Sequence, residues 1–245
     1  MKLSVVIPAH NEEGCVSRII GNLINTLKAN GIEREIIAVN DNSTDNTYGV
    51  LEELAGIHKE IKVINAPRPR GFGRAVRKGL EHISGDAVVI FMADGSDDAE
   101  DVVMYYNKIQ EGYDCVFGSR FIKGSRTSGY PKVKLILNRA GNILMQLLFW
   151  IQYNDVSNAF KAYRAEVIRA VQPLVSQYFN ITVEIPLKAI VRGFSFAVVP
   201  IHWNGRVSGV SKYRIGELSK KYFFSILFVW LEKILLKEEI KTHPK

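Results

Sequence analysis

The sequence predicts an α/β fold: a mostly parallel central sheet with helices on both faces. Three observations lead there. Short apolar runs of strand length alternate with segments of helical period through the first half of the chain. Strand, helix, strand in repetition implies right-handed crossovers, and these lay strands parallel. At 245 residues, 47% hydrophobic and 23% charged, the chain is large enough to bury a full core as one domain with an appended tail.

Leu3–Ile7, Ile36–Val39, Ile61–Ile64, Ala87–Met92 and Val116–Gly118 read as short buried strands. Between them, Val16–Ala29, Thr47–Leu54, Gly73–His82 and Val102–Gln110 have helical spacing. Two helix starts carry capping signals: Asn11 ahead of Glu12 and Glu13, and Asp45 ahead of Thr47. Ligands on such sheets bind at the carboxyl ends of strands, which directs attention to Pro8–Glu13, Asn40–Asn46, Ala66–Arg74, Ala93–Asp98 and Ser119–Tyr130.

Beyond residue 130 the pattern changes. Val133–Ile151 crowds apolar residues around most of a helix surface but is broken by Lys134, Asn138, Arg139 and Gln146. A spanning helix needs about 20 predominantly apolar residues, so a basic helix lying in a membrane interface, or packing on a partner, fits better. Glu184–Val199 supplies a helix and a strand, followed by a loop at His202–Lys212. The tail segment KKYFFSILFVWLEKILLK has an apolar run from Tyr222 to Leu231, too short to span and flanked by lysines. It reads as an amphipathic helix that either caps the core or docks at an interface, with membrane, a membrane-protein partner or a second copy as the occupant.

The formal charge is +7, from 32 Lys and Arg against 25 Asp and Glu, and it is unevenly spread. Between Cys115 and Asn154 there is no acid, while Arg120, Lys123, Arg126, Lys132, Lys134 and Arg139 all fall inside. A second basic stretch holds Arg206, Lys212, Arg214, Lys220 and Lys221 against Glu217. Acid-poor stretches beside apolar segments point to phosphate groups or an anionic membrane surface. No nucleic-acid partner is expected. The two cysteines, Cys15 and Cys115, are too few for a disulfide scaffold and lack metal-ligand spacing, which favours a reducing compartment. MKLSVVIP lacks the architecture of a secretory leader, its apolar stretch being short and closed by proline, so a cytoplasmic location is expected.

The stretch FMADGSDD ends a buried strand in three carboxylates, Asp94, Asp97 and Asp98. Carboxylates clustered there repel one another unless a cation neutralises them, and oxygen ligands of this type suit Mg²⁺ or Mn²⁺, typically bridged to a diphosphate. Asp98 has a second explanation as cap of the next helix, which opens Ala99-Glu100-Asp101. Asp41, ending the second strand, would face the same crevice, where it can accept hydrogen bonds from a nucleobase or sugar. Arg70-Gly71-Phe72-Gly73-Arg74 is a glycine-rich turn opening a helix, whose free N–H groups can approach an anion.

In order and at their separations, VVIPAHNEE, AVNDNSTDNT, PRGFGRAVRKG, MADGSDDAED, FGSRFIKG, DVSNAFKAYR and NGRVSGVSKY resemble the family 2 glycosyltransferases of GT-A (nucleotide-diphospho-sugar transferase) fold. Within them the chain is most similar to the dolichyl- or polyprenyl-phosphate sugar synthases, among them the dolichyl-phosphate mannose synthases. The resemblance spans about Lys2 to Tyr213 and implies a GT-A catalytic domain over 1–213, with 214–245 a C-terminal amphipathic helix. It implies that Pro8, His10 and Glu12 wrap the nucleobase, that Asp41 contacts base or ribose, and that Arg70 and Gly71 lie beside the nucleotide. Asp94 matches the second acid of the family's metal-binding DxD motif, with Ser96 in place of a further ligand; the first acid is replaced by Met92. Metal binding is then weaker, recruits Asp97 or Asp98, or is lost. Arg120 matches an arginine that grips the acceptor phosphate, and Arg139 resembles a second. Arg206, Ser211 and Lys212 fall in a loop associated with donor diphosphate and acceptor phosphate. The implied activity is inverting transfer of a hexose from a GDP- or UDP-sugar to dolichyl or polyprenyl phosphate, assisted by Mg²⁺ or Mn²⁺, at the cytosolic face of a membrane. A saccharide acceptor, or a non-catalytic nucleotide-sugar-binding subunit, is the alternative.

Overall fold

The computed structural model describes residues 1–205 and 215–240. Its first half is a series of strand–helix units: β1 (Leu3–Ala9), α1 (Val16–Ala29), β2 (Arg34–Asn40), α2 (Thr47–Ile57), β3 (Ile61–Asn65), α3 (Phe72–Leu80), β4 (Ala87–Ile90), α4 (Ala99–Gln110) and β5 (Cys115–Ser119). There follow β6 (Arg126–Ser128), α5 (Lys132–Phe149), β7 (Lys161–Arg164), α6 (Ala165–Ala170), α7 (Ile181–Val191), β8 (Phe196–Pro200), β9 (His202–Asn204) and α8 (Ile215–Ile240). Each strand and helix expected in the first half is present, its ends displaced by no more than a helical turn. α1 shows why: Val16, Ile19, Ile20, Leu23, Ile24 and Leu27 fall on one stripe, and all are buried.

One capping expectation is corrected. Asn11 does not start α1, which begins at Val16 behind Cys15. Asn11 instead adopts a left-handed backbone, φ 54°, and uses its side-chain oxygen to accept from the Thr44 N–H at 2.8 Å. Asp45 does serve the start of α2, accepting from the Thr47 N–H at 3.0 Å and the Thr47 hydroxyl at 2.6 Å.

Among the described residues the main sheet has the order β3-β2-β1-β4-β7-β5-β8. Its neighbours run parallel except at β7, which is antiparallel to both β4 and β5. β6 and β9 form a separate parallel ribbon. Alternation on the strands feeds two cores. Leu3, Val5, Ile7, Ile36 and Ala38 pack on the side that holds α1 and α4, whereas Val6, Ile37 and Val39 face α3 and α7.

The tail helix is docked rather than detached. Val229 and Ser225 of α8 are buried, Ser225 Oγ receives the Asn180 amide at 2.7 Å, and Lys233 donates to the Leu148 carbonyl of α5 at 3.2 Å. What remains outward on α5 and α8 is strongly apolar, including Ile136, Leu147, Phe224 and Leu235, with Trp150 just past α5 90% exposed. No helix among the described residues is long and apolar enough to cross a membrane.

Glu35 of β2 ties the first strand to the turn before β4. Its carboxylate accepts from Ser4 Oγ, from the Ser84 N–H and hydroxyl, both at 2.6 Å, and from Lys2 Nζ at 2.9 Å. Burial pushes its pKa up, but Ser4, Ser84 and Lys2 outweigh it and hold the group down to about 2. A depressed folded-state pKa means that this stabilisation is complete above the ordinary carboxylate value and is lost as pH falls toward 2. Glu35→Gln is expected to cost about 1–2 kcal/mol at neutral pH. It should also flatten the acid limb of stability measured by urea unfolding across a pH series; an acid limb as steep as wild type would contradict the assignment.

Candidate active site

β2 lies on one side of β1 and β4 on the other, so the strand order reverses between β1 and β4 and a crevice opens beyond their carboxyl ends. A cavity of about 570 Å³ fills it. Its lining has an acidic part and a basic part, which meet where Trp203 bridges to Asp97.

The acidic wall is built by the end of β4. Met92 continues the chain past the strand, and its N–H donates to Asp97 Oδ2 at 3.0 Å. Gly95, at φ 75°, lets the chain double back, and the Ser96 N–H closes on Asp94 Oδ1 at 3.1 Å. Asp94, Ser96 and Asp97 are all buried, and all line the cavity. Burial, and then the Asp94 charge, push the Asp97 pKa well above the usual carboxylate range, against the opposing pull of the Met92 N–H and Arg120. Asp98 turns away: it caps α4 by accepting from the Glu100 N–H at 3.0 Å and does not line the cavity. The helix dipole thus accounts for Asp98, and it stands apart from the acid pair. Among the described residues no group of three or more His, Cys, Asp or Glu side chains gathers as a cation cage. The buried Asp94–Asp97 pair still fits Mg²⁺ or Mn²⁺, because such ions take one or two carboxylates and draw further oxygens from a bound phosphate and water.

Beside this wall sit Pro8, His10 and Glu12 from the end of β1, Asp41 from the end of β2, and the turn Arg70-Gly71-Phe72. The anion that the glycine-rich turn meets is in the chain itself: the Gly71 N–H points at both oxygens of Asp41, each at 3.0 Å. Arg70 Nη1 lies 2.6 Å from His10 Nε2. A guanidinium only donates, so Nε2 accepts, and His10 Nδ1 carries the proton given to the Asp41 carbonyl at 2.8 Å. The glycines have a packing role that sequence reasoning missed. A Cβ on Gly73 would stand 2.6 Å from the Ser176 carbonyl and 2.7 Å from that of Tyr178, and one on Gly71 would collide with the Gln177 carbonyl. The 176–178 segment, pressed on the turn, is in turn held by Glu184, whose carboxylate accepts from the Val175 and Ser176 N–H groups at 2.9 and 2.8 Å and pairs with Lys188 at 3.3 Å. Glu184 is therefore structural.

The basic wall carries Arg120, Lys134 and Lys221, with Trp203, Tyr178 and the stacked pair Phe72–Phe179, centroids 4.1 Å apart. Arg120 is not loose. Nε and Nη2 grip Asp155 at 2.8 and 2.7 Å, the Arg120 N–H adds a third bond at 3.0 Å, and Asp155 is fully buried. Burial pushes the Arg120 pKa down, but Asp155 outweighs it and raises the value. Phe121, Tyr130 and Trp203 place their rings 5.2–5.6 Å from the guanidinium carbon. Arg139 does not reach the cavity. Its Nη1 donates to the Asn154 carbonyl at 3.2 Å, and the guanidinium sits 4.6 Å over the Phe121 ring. Arg206, Ser211 and Lys212 lie outside the described residues.

Asp155, Trp203, Tyr178, Phe179 and Lys221 were not singled out as site residues from sequence. Two of them left a signal there: Asp155 as the acid that ends the acid-free stretch, and Lys221 as a member of the second basic stretch. Lys221 comes from the tail helix and rests 3.4 Å above the Tyr178 ring.

A model of the family described as glycosyl transferase family 2 matches residues 4–172. The chain is 30% identical over 258 residues to a dolichol-phosphate mannosyltransferase of Pyrococcus furiosus, covering 97% of this chain and 71% of that one. It is 28% identical to a polyprenol monophosphomannose synthase of Mycolicibacterium smegmatis, covering 89% and 83% respectively. Among solved structures, glucosyl-3-phosphoglycerate synthase from Mycobacterium tuberculosis in complex with Mn²⁺, UDP and phosphoglyceric acid superposes with a TM-score of 0.69 at 19% identity, covering 94% of this chain and 78% of that one. That likeness speaks to the fold, which is the GT-A fold.

Gly73→Ala should force the 176–178 backbone off the turn, lowering stability by about 1–3 kcal/mol and weakening nucleotide binding. A thermal melt and a calorimetric titration with UDP and GDP check this; wild-type values in both would show that the turn tolerates the methyl group.

Proposed function

This chain belongs to glycosyl transferase family 2, and on that premise we propose that it transfers a hexose, with inversion, from a GDP- or UDP-sugar to dolichyl or polyprenyl phosphate. The observation that carries the reading is that one cavity is lined both by a buried acid pair, Asp94 and Asp97, and by the bases Arg120, Lys134 and Lys221. Such a lining suits two phosphate-bearing substrates: the acids would hold a cation for a donor diphosphate, and the bases would receive an acceptor phosphate. The names of the Pyrococcus and Mycolicibacterium relatives support a lipid-phosphate acceptor, and the metal and UDP in the Mycobacterium structure support the donor side.

In this reading Pro8, His10, Glu12 and Asp41 surround the base and ribose, with Arg70 and Gly71 beside the nucleotide. Asp94 and Asp97, with Ser96 adjacent, would hold Mg²⁺ or Mn²⁺, and a divalent cation there would supply positive charge against the departing diphosphate. Arg120, fixed by Asp155, presents its remaining edge to the acceptor phosphate. An oxygen of that phosphate attacks the anomeric carbon as the bond to the nucleoside diphosphate breaks. The attacking oxygen is already an anion at neutral pH, so no general base is needed. A saccharide acceptor would need one, and on the basic wall Asp155 is committed to Arg120. Residues 1–213 are assigned to the catalytic part and 214–245 to the C-terminal part, whose α8 (Ile215–Ile240) docks on α7. The outward apolar faces of α5 and α8, fringed by Lys132 and Lys220, rest on the cytosolic surface of a membrane.

The test is radiolabelled transfer from a panel of GDP- and UDP-sugars to a short polyprenyl phosphate, with and without Mn²⁺. Chelation should abolish transfer and Mn²⁺ restore it. Asp94→Ala should lower the rate by about 10³-fold or more, and Arg120→Ala should chiefly raise the acceptor KM. Full activity in both variants would refute the site assignment, and absence of transfer with every donor would favour a non-catalytic binding subunit.

A further inference from the structure

Two lysines are among the largest fully buried side chains, Lys161 and Lys188. Lys188 is answered by Glu184 within its own helix. Lys161, on the antiparallel strand β7, is answered by backbone: its Nζ donates to the carbonyls of Val156 at 2.9 Å, of Asn158, and of Thr182 at 3.2 Å. Each acceptor has a reason to be available. Residue 186 would bond the Thr182 carbonyl one turn along α7, but it is Pro186 and has no N–H. Val156 and Asn158 belong to the irregular chain between α5 and β7. Burial pushes the Lys161 pKa down to about 7. The Asp155 and Asp97 carboxylates pull the other way, and three carbonyl acceptors match the three protons of an ammonium.

The chain held by this ammonium, residues 154–160, forms the floor of the basic wall. The Asp155 carboxylate accepts from the Arg120 guanidinium and from the Arg120 backbone N–H. Ser157 Oγ receives the side-chain amides of Asn138 and Asn142 on α5, at 2.7 and 3.1 Å. Ser157, Asn158 and Ala159 themselves line the cavity. We propose that Lys161 is a positioning residue for the acceptor side of the site, an internal ammonium doing what a carbonyl-bound cation would do: it pins residues 154–160 so that Asp155 aims Arg120 and Ser157 anchors α5. The proposal rests on the reading of Arg120 as the acceptor-phosphate ligand.

The test uses the full chain. Lys161→Met removes all three donors at similar length. It is expected to raise the acceptor KM about tenfold or more while the donor KM, and the affinity for UDP or GDP with Mn²⁺ by calorimetry, stay at wild type. Amide exchange followed by mass spectrometry should accelerate in residues 154–160 ahead of the rest of the chain. Asp155→Asn should show the same acceptor effect, and the double variant no more than the larger single one. Lys161→Gln, which keeps two donors, should recover part of the acceptor affinity; it carries the comparison if the methionine variant does not fold. Donor and acceptor KM rising together, exchange rising throughout, or unchanged kinetics would each overturn the proposal. Should wild type transfer no sugar to any polyprenyl phosphate, the functional reading fails. The exchange measurement then decides on Lys161 alone: selective loss of protection at 154–160 upholds the pinning, and intact protection overturns it.

Discussion

A carboxyl group buried beside a second acid at the end of a central strand is costly to ionise, and burial together with the Asp94 charge pushes the Asp97 pKa well above the usual carboxylate range. Asp94 and Asp97 are brought together by a turn that Gly95 permits and that the N–H groups of Met92 and Ser96 hold closed. Their place is at the crevice where the strand order reverses, whose lining also includes residues from the ends of β1 and β2. Met92, standing where the family's motif has its first acid, still contributes, but with its backbone: its N–H fastens Asp97. In the proposed reading, Asp97, from further along the same turn, takes the place of the side-chain ligand that Met92 lacks.

The buried cations are treated in the opposite manner. Each is saturated by the protein: Arg120 by Asp155, Lys188 by Glu184, and Lys161 by three carbonyls. Leaving any of them unanswered away from water would be destabilising, so each one locks the segment that answers it. The locked segments are those that face the cavity, namely 154–160 behind Arg120 and 175–178 against the Gly71–Gly73 turn. Two of these cations, Lys161 and Lys188, hold the segments that face the cavity without lining it themselves, whereas Arg120 lines it. The tail helix joins the same framework, since Ser225 is bonded to Asn180 and Lys221 rests on Tyr178.

Much of the fold was legible because burial leaves a period in the chain. The strands β1 to β5 and the helices α1 to α5 announced themselves as apolar runs and stripes. β7 did not, for a physical reason: Lys-Ala-Tyr-Arg is short and begins with the charge that the core must satisfy, so it shows no apolar alternation. The ribbon of β6 and β9 was invisible for a related reason, each strand having three residues and its partner lying some seventy positions away in sequence. In the site, Asp94 and Asp41 were readable as acids at strand ends with no helix to cap. Asp98 and Arg139 looked equivalent to their neighbours in composition, and only the direction of their side chains separates them from the cavity.

By itself, then, the sequence determined the class of sheet, the crevice at its strand ends, and the charge types that converge there, because periodicity and local composition are properties of adjacent residues. The tertiary structure alone decided which charge quenches which. Arg120 meets Asp155 thirty-five residues on, Gly71 N–H meets Asp41 thirty residues back, and Lys161 fills a vacancy that Pro186 leaves in another element. Electrostatic pairing depends on distance through space and on exclusion of water, and neither quantity is written in the order of residues along a chain.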